Sequence, residues 1–436
     1  ERINGLGFGE LWIKSNDSGK SMVAKVRHTN TSMSLAYQLG YHCAKSRKIM
    51  PVRQMSTAIP AHADTTTEDD IFTRLCDKEM LRLGWLKIQH TRKASHGIDN
   101  VSIAQFREHI DDELTTLTHV LKSGEYRARP LLRVQIPKAD GGTRTLGIPC
   151  VRDRVVQSAC LMLMEPCFET IFSRYSFAFR PHRRAYQALA MARSMIKTGR
   201  SWAVIADIKK CFDSIDHDVL MRLVSQRIGD KGILGLIRHW LTIESLDFGE
   251  IVPIEVGVPQ GASISPLLAN VYLDPLDKHL EHSGLSFVRY ADDIIILTQS
   301  EEDAQRALQL MHNFLLEPLH LELKPAKTNI TPVAKGFDYL GFRIDQDRIT
   351  IRQGKVDEVQ NMLLGYVKML GEPQATLGQR LDSLVRINEV VRGWRNYFAL
   401  PDEQAIFEQL QLLDGRIEQM GNYYLPVSVK DDPAWL

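Results

Sequence analysis

The sequence predicts an α+β fold with an antiparallel strand pair near its centre and an all-helical end. Three observations carry this. An apolar run ends in an acid at residues 202–208 (WAVIADI). An acid pair sits between two apolar runs at residues 287–297 (FVRYADDIIIL), the pattern of a hairpin with carboxylates at its tip. From residue 356 onward apolar residues recur at helical spacing.

Taken in order, residues 1–55 are expected to form a small α/β extension. Residues 7–13 and 21–28 alternate as two strands around Asn16-Asp17-Ser18-Gly19, and residues 34–46 carry helical spacing. Residues 56–70 are polar and irregular and are expected to be a linker. Helical spacing returns over 71–113, where Ile71, Leu75, Met80, Leu81 and Leu83 line one face and Gly84 is expected to weaken the end. Residues 131–137 predict a strand running into a turn at Gly141-Gly142. Residues 152–169 predict an apolar helix that Pro166 kinks or shortens. Helices are expected over 217–228, 234–246 and 301–316. A strand pair over 337–344 and 348–351 is joined by Asp345-Gln346-Asp347. Residues 356–370, 377–400 and 403–420 complete a helical unit.

Composition is that of an ordinary globular chain: 436 residues, 44% hydrophobic and 25% charged. Net charge is only +1, yet charge is segregated. Residues 170–206 contain no acid while holding Arg174, Arg180, Arg183, Arg184, Arg193, Lys197 and Arg200. Such a stretch suits phosphate binding, and it also suits an ordinary basic helix face. Six cysteines, none in a CxxC pair, predict reduced thiols rather than a disulfide framework or zinc site. With no apolar run of about 18 residues and no leader pattern, a cytoplasmic protein without a membrane span is expected. The chain opens at Glu1 rather than Met, as a portion of a longer protein would.

The acids carry the chemistry. Asp207 ends a run that should be buried, and Asp292 and Asp293 sit between two more. A carboxylate at a buried strand end must be paired, protonated or bound to a cation. Two such strands in one sheet gather three carboxylates, whose repulsion a divalent metal relieves; oxygen donors suit Mg²⁺, with Mn²⁺ as a substitute, rather than zinc. The bland alternative is a chance turn.

Around these acids the sequence resembles the group II intron-type reverse transcriptases, in a series of blocks that follows the family's order. The blocks are GIDNVS (97–102), IPKADGGTRTLGIP (136–149), SFAFRPHRRAYQAL (176–189), ADIKKCFDSIDH (206–217), GVPQGASISPLLANVYLDPLD (257–277), RYADDIIIL (289–297), LKPAKTNI (323–330), FDYLGFRI (337–344) and GWRNYF (393–398). The resemblance implies a right-hand polymerase: fingers over 71–205, palm over 206–350, helical thumb over 351–425 and a tail over 426–436.

It also implies roles. Asp207 and Asp292 ligate two Mg²⁺ ions with the Ile208 carbonyl nearby, and Asp293 completes the acid pair. Lys138 and Arg144 hold the incoming triphosphate, although a solvated turn with flanking cations fits the same residues. Phe212 excludes a ribose 2′-hydroxyl, or is simply core. Gln260 lies near nucleotide and template, and Gly257 and Gly261 let backbone approach nucleic acid. Lys327 stands near the primer end or the palm acids. Arg174, Arg180, Arg183 and Arg184 line the template groove. Asn396 touches the duplex from the thumb, alongside Trp394, Tyr397 and Phe398, which also suit thumb core.

The implied partners are an RNA template, a DNA primer or product, and deoxynucleoside triphosphates. The extension at 1–55 and the lack of a Cys-rich nuclease pattern depart from the intron enzymes. They point to the CRISPR-associated branch, with guide-processing and integrase partners and a part in spacer acquisition from RNA. Other antiphage-defence members, the diversity-generating type and a maturase-like RNA-binding role remain alternatives.

Overall fold

The computed structural model describes residues 11–14, 23–26, 70–90, 96–137, 142–247, 250–252, 254–400 and 403–424. The helix expected at 34–46, the Asn16–Gly19 turn, Lys138 and Gly141 lie outside these residues. The chain divides into two compact units, Ala63–Leu340 and one that takes in Gly341–Leu436. Near the N-terminus β1 (Leu11–Lys14) pairs antiparallel with β2 (Val23–Val26).

The larger unit begins with α1 (Ile71–Leu75), α2 (Lys78–Ile88), α3 (Ile103–Glu108) and α4 (Ile110–Lys122). Side chains start two of them: Asp77 accepts from the Glu79 amide at 2.8 Å, and Ser102 and Gln105 form a reciprocal capping box. It continues with β3 (Leu131–Pro137), β4 (Thr143–Ile148), α5 (Val151–Glu169), α6 (Ala185–Lys197), β5 (Trp202–Asp207), α7 (His217–Ser225), α8 (Lys231–Leu241), β6 (Ser245–Asp247) and β7 (Glu250–Val252). Then come α9 (Ser265–His282), β8 (Ser286–Tyr290), β9 (Asp293–Thr298), α10 (Glu301–Leu316), β10 (Asn329–Pro332) and β11 (Phe337–Tyr339).

Three expectations change here. Gly84 does not weaken α2, which runs on to Ile88. A Cβ at position 84 would lie 2.5 Å from the Val155 carbonyl oxygen and 2.9 Å from the Ala159 nitrogen. The bare backbone is what lets α2 press against α5. Pro166 does not shorten α5, which continues to Glu169 with Met164 and Phe168 buried on either side. The helix expected over 234–246 stops at Leu241, and residues 245–247 form a strand instead. Ser245 and Leu246 pair in parallel with Leu131 and Leu132, so a remote strand overrides local helical spacing.

Two sheets of four strands result, ordered β4-β3-β6-β7 and β10-β5-β9-β8. In the second, every neighbouring pair is antiparallel. Alternate residues Val204 and Ala206 of β5, and Ile294 and Ile296 of β9, enter one core with Leu276, Leu280, Ala304 and Met311. That is the period of two that a sheet imposes when helices cover one face. Cys76, Cys150, Cys160 and Cys211 are buried free thiols. No helix among the described residues is long and apolar enough to cross a membrane.

One buried acid in α9 makes stability depend on pH. The Asp274 carboxyl is pushed up to about 6, first by burial and then by the charge of Asp277. Its buried Oδ1 has no hydrogen-bond partner, and Lys278 stands 3.9 Å away. A carboxyl raised on folding adds stability at low pH and loses it as pH rises through the folded value. Asp274→Asn is expected to flatten the dependence between roughly pH 4 and pH 7, removing about 2–3 kcal/mol of loss. Urea denaturation across that range tests it; equal slopes in both proteins would refute it.

The other unit has β12 (Phe342–Ile344) antiparallel to β13 (Ile349–Ile351), followed by α11 (Gln353–Gly371), α12 (Leu377–Phe398) and α13 (Gln404–Tyr424). Asp345 closes the turn between the strands by accepting from the Asp347 and Arg348 amides, both at 2.9 Å. Val359, Leu363 and Leu413 are buried with Ile387, Val390, Val391, Trp394 and Ile417 around them.

Candidate active site

The sheet β10-β5-β9-β8 brings the acids together. Asp207 closes β5 and stands opposite Asp293, the first residue of β9. Asp292 lies in the turn before it, behind Ala291, whose φ of 59° belongs to a tight left-handed turn. The Ile208 amide donates to the Asp292 carbonyl at 3.2 Å, tying the two acid-bearing segments together. On the other side the Lys324 amide donates to the Asp207 carbonyl at 2.8 Å, and the Lys209 amide to the Glu322 carbonyl at the same distance. This second tie delivers Lys327, whose Nζ pairs with Asp207 Oδ2.

Crowding of like charge is visible in the acids' proton affinities. Burial, then the Asp207 charge, raises Asp292; Lys327 and Arg144 oppose the rise. Burial, then Asp292 and Asp207, pushes Asp293 up to about 6. The hydrogen bond it donates to Asp207 holds the Lys327 ammonium above its ordinary range. An all-carboxylate set under mutual repulsion fits a hard divalent cation. Among the described residues, no group of three or more His, Cys, Asp or Glu is already gathered as a metal cluster. Asp207 instead faces the Lys327 ammonium.

The turn is held by a residue that sequence reasoning missed. Arg289 is completely buried and donates to both Asp277 carboxylate oxygens, Nε to Oδ1 at 2.7 Å and Nη2 to Oδ2 at 2.6 Å. Its Nη1 donates to Asn270 Oδ1 at 3.1 Å and to the Ala291 carbonyl at 3.2 Å. A guanidinium thus grips the turn that presents Asp292. The signal was present: an arginine inside an apolar strand demands a buried partner.

Phe212 is half-buried in the short 3₁₀ segment Cys211–Ser214, and its carbonyl accepts from the Val258 amide at 2.7 Å. Gln260 Nε2 donates to Asp213 Oδ1 at 2.9 Å. Gly257 and Gly261 have φ of 89° and 114°, and the backbone they approach is the protein's own. A Cβ at Gly257 would lie 2.8 Å from the Asp213 carbonyl oxygen, and one at Gly261 3.0 Å from that of Gly147. Arg144 is exposed on β4, opposite Ile136.

The arginines divide. Arg180 is buried: it donates to Glu169 at 2.6 Å, and its Nη1 reaches the Ser173 and Ser176 carbonyls at 2.5 and 2.8 Å. Its guanidinium is spent on partners inside the protein. Arg183 lies over the Phe177 ring and donates to the Arg174 carbonyl at 2.6 Å. Arg174 lies over Tyr175, and Arg184 is exposed just before α6. In the other unit Asn396 is exposed on α12, while Trp394 and Phe398 pack at 4.4 Å between ring centroids.

Comparison with known proteins places the chain in a family. The family model for reverse transcriptase (RNA-dependent DNA polymerase) matches residues 136–344. Protein YkfC of Escherichia coli is 33% identical over 304 residues, 60% of this chain and 79% of that protein. The group II intron-encoded protein LtrA of Lactococcus lactis is 27% identical, over 82% of this chain and 71% of LtrA. Among solved structures, a partial Cas6-RT-Cas1–Cas2 complex aligns with a TM-score of 0.36 at 20% identity, over 56% of this chain and 42% of that one. Telomerase from Candida albicans aligns at 0.42 and 12% identity, over 76% of this chain and 64% of that one. Structural likeness that loose assigns no branch. The chain belongs to the reverse transcriptase family, as a group II intron-like member, and is a nucleotidyltransferase of the RNA-directed DNA polymerase class.

Proposed function

We propose that this chain extends a DNA primer along an RNA or DNA template, adding deoxynucleotides by two-metal nucleotidyl transfer. The observation that carries the reading is the register that sets Asp207 opposite Asp293, with Asp292 tied to Ile208 beside them. Asp207, Asp292 and the Ile208 carbonyl are the proposed magnesium ligands, and Asp293 completes the acidic field. When bound, magnesium supplies activation of the primer 3′-hydroxyl and charge relief at the leaving pyrophosphate. Arg144 and Lys138 are the proposed triphosphate clamp; the field of Arg144 already reaches Asp292. Gln260, anchored on Asp213, faces nucleotide and template in this reading. Arg174, Arg183 and Arg184 remain candidate template contacts, and Asn396 a candidate duplex contact. Lys327 is proposed to work at Asp207, with which it already pairs.

Phe212 is proposed to sit beneath the sugar and reject a 2′-hydroxyl. Primer extension on RNA and DNA templates tests the activity. Phe212→Val should lower the preference for deoxy- over ribonucleotides by about tenfold or more. Unchanged sugar discrimination would dismiss the gate, and binding of structured RNA without extension on any template would favour a maturase-like role. Service in spacer acquisition from RNA is a narrower proposal resting on the sequence resemblance, tested by co-purification with a CRISPR integrase.

A further inference from the structure

Phe179 breaks two rules at once. Its φ is 57°, a left-handed backbone that a bulky residue seldom adopts. The residue is also 53% exposed although its neighbours on either side, Ala178 and Arg180, are buried. Strain of this kind persists only where the surroundings impose it. Here they do so from both directions. The Ala178 carbonyl accepts from Asn270 Nδ2 at 2.9 Å, and the Phe177 amide donates to the Arg289 carbonyl at 3.0 Å. Arg180 is then clamped by Glu169 and by the Ser173 and Ser176 carbonyls. The core therefore grips the backbone on each side of Phe179 and leaves its ring outside.

That ring meets one aromatic partner. Phe179 and Phe212 stand edge to face, with centroids 6.4 Å apart and planes at 84°. The arrangement is a favourable quadrupole geometry, and it restricts how far the Phe212 ring can tilt. Asn270, which holds Ala178, also accepts from Arg289, the residue that holds the Asp292 turn. One buried hydrogen-bond network thus positions the aromatic pair and the acids together.

We propose that Phe179 is a specificity-determining residue: its ring edge props Phe212 against the sugar of the incoming nucleotide, so that discrimination against ribonucleotides requires both rings. The inference rests on the reading of Phe212 as the sugar gate and extends it to a residue in a different segment of the chain. The Phe179 ring does not touch the reacting atoms; it sets the position of the ring that touches the sugar.

Three variants test it. Phe179→Gly removes the ring and makes the positive φ unstrained. Phe179→Leu keeps apolar bulk and strain but has no ring edge. Phe179→Tyr keeps the ring. Ratios of kcat/KM for deoxy- and ribonucleotides are measured together with melting temperature. The expected result is a fall in discrimination of about three- to tenfold for Phe179→Gly and Phe179→Leu, near-native discrimination for Phe179→Tyr, and no loss of melting temperature for Phe179→Gly. Unchanged discrimination in the Gly and Leu variants, with Phe212→Val still relaxed, overturns this inference and leaves the gate standing. Unchanged discrimination in those variants and in Phe212→Val overturns both. A Phe179→Gly protein that melts lower yet discriminates normally marks a packing residue and also overturns it.

Discussion

Asp292→Ala combined with Asp293→Ala is expected to abolish primer extension, a loss of at least about 10³-fold, while the protein becomes no less stable. The two effects have one cause. Burial and mutual charge raise both carboxyls, Asp293 to about 6, so near neutral pH the fold carries the cost of holding them ionised beside Asp207. Removing two of three repelling charges relieves that cost, by about 1–2 kcal/mol, and deletes the anionic field in which the chemistry is proposed to occur. Activity and stability should therefore move in opposite directions, as they do where a site is held against its own electrostatics. Extension rates with magnesium supplied, and urea denaturation in a chelating buffer, measure the two sides. Extension within tenfold of the native rate would sink the catalytic assignment, and a large drop in stability would mean that these acids hold the fold.

The second large effect belongs to Arg289. Arg289→Met leaves the Asp277 carboxylate buried without its bidentate partner, and breaking such a pair costs about 3–5 kcal/mol. Replacing both partners, Arg289→Met with Asp277→Leu, should recover much of that loss, because an apolar pair of similar size avoids both desolvation costs. Activity should not return with stability. The double variant still lacks the donor to the Ala291 carbonyl, so the turn presenting Asp292 loses its anchor. A double-mutant cycle read by denaturation and by extension rate separates the roles. Full activity in the stable double variant would show that the guanidinium serves the fold alone.

What the sequence made legible follows its physics closely. β5, β8 and β9 were readable because each is an apolar run bounded by acid, and burial leaves such runs few alternatives. The helices Gln353–Gly371, Leu377–Phe398 and Gln404–Tyr424 were readable because their spacing is local. β10 was visible only as part of a motif: Asn329–Pro332 has little apolar alternation and becomes a strand by pairing with Val204 and Ile205. The strand Ser245–Asp247 was hidden for the same reason, since Leu131 and Leu132 recruit it from more than a hundred residues away. Arg180 was read with its neighbours as a template contact because charge density along a chain cannot distinguish a solvated guanidinium from one clamped to Glu169. The glycines were recognised as points of close approach, but the partner backbone, Asp213 or Gly147, becomes evident only in three dimensions.

The Lys327–Asp207 contact has a consequence for how cations come and go. A tethered ammonium already neutralises part of the acidic cluster before any cation arrives. An ion taking the proposed site would enter by exchange, with Asp207 giving up one positive partner for another. Affinity for that ion would then reflect the gap between those two attachments, and a lysine in the 3₁₀ segment Pro325–Lys327 would set how wide that gap is.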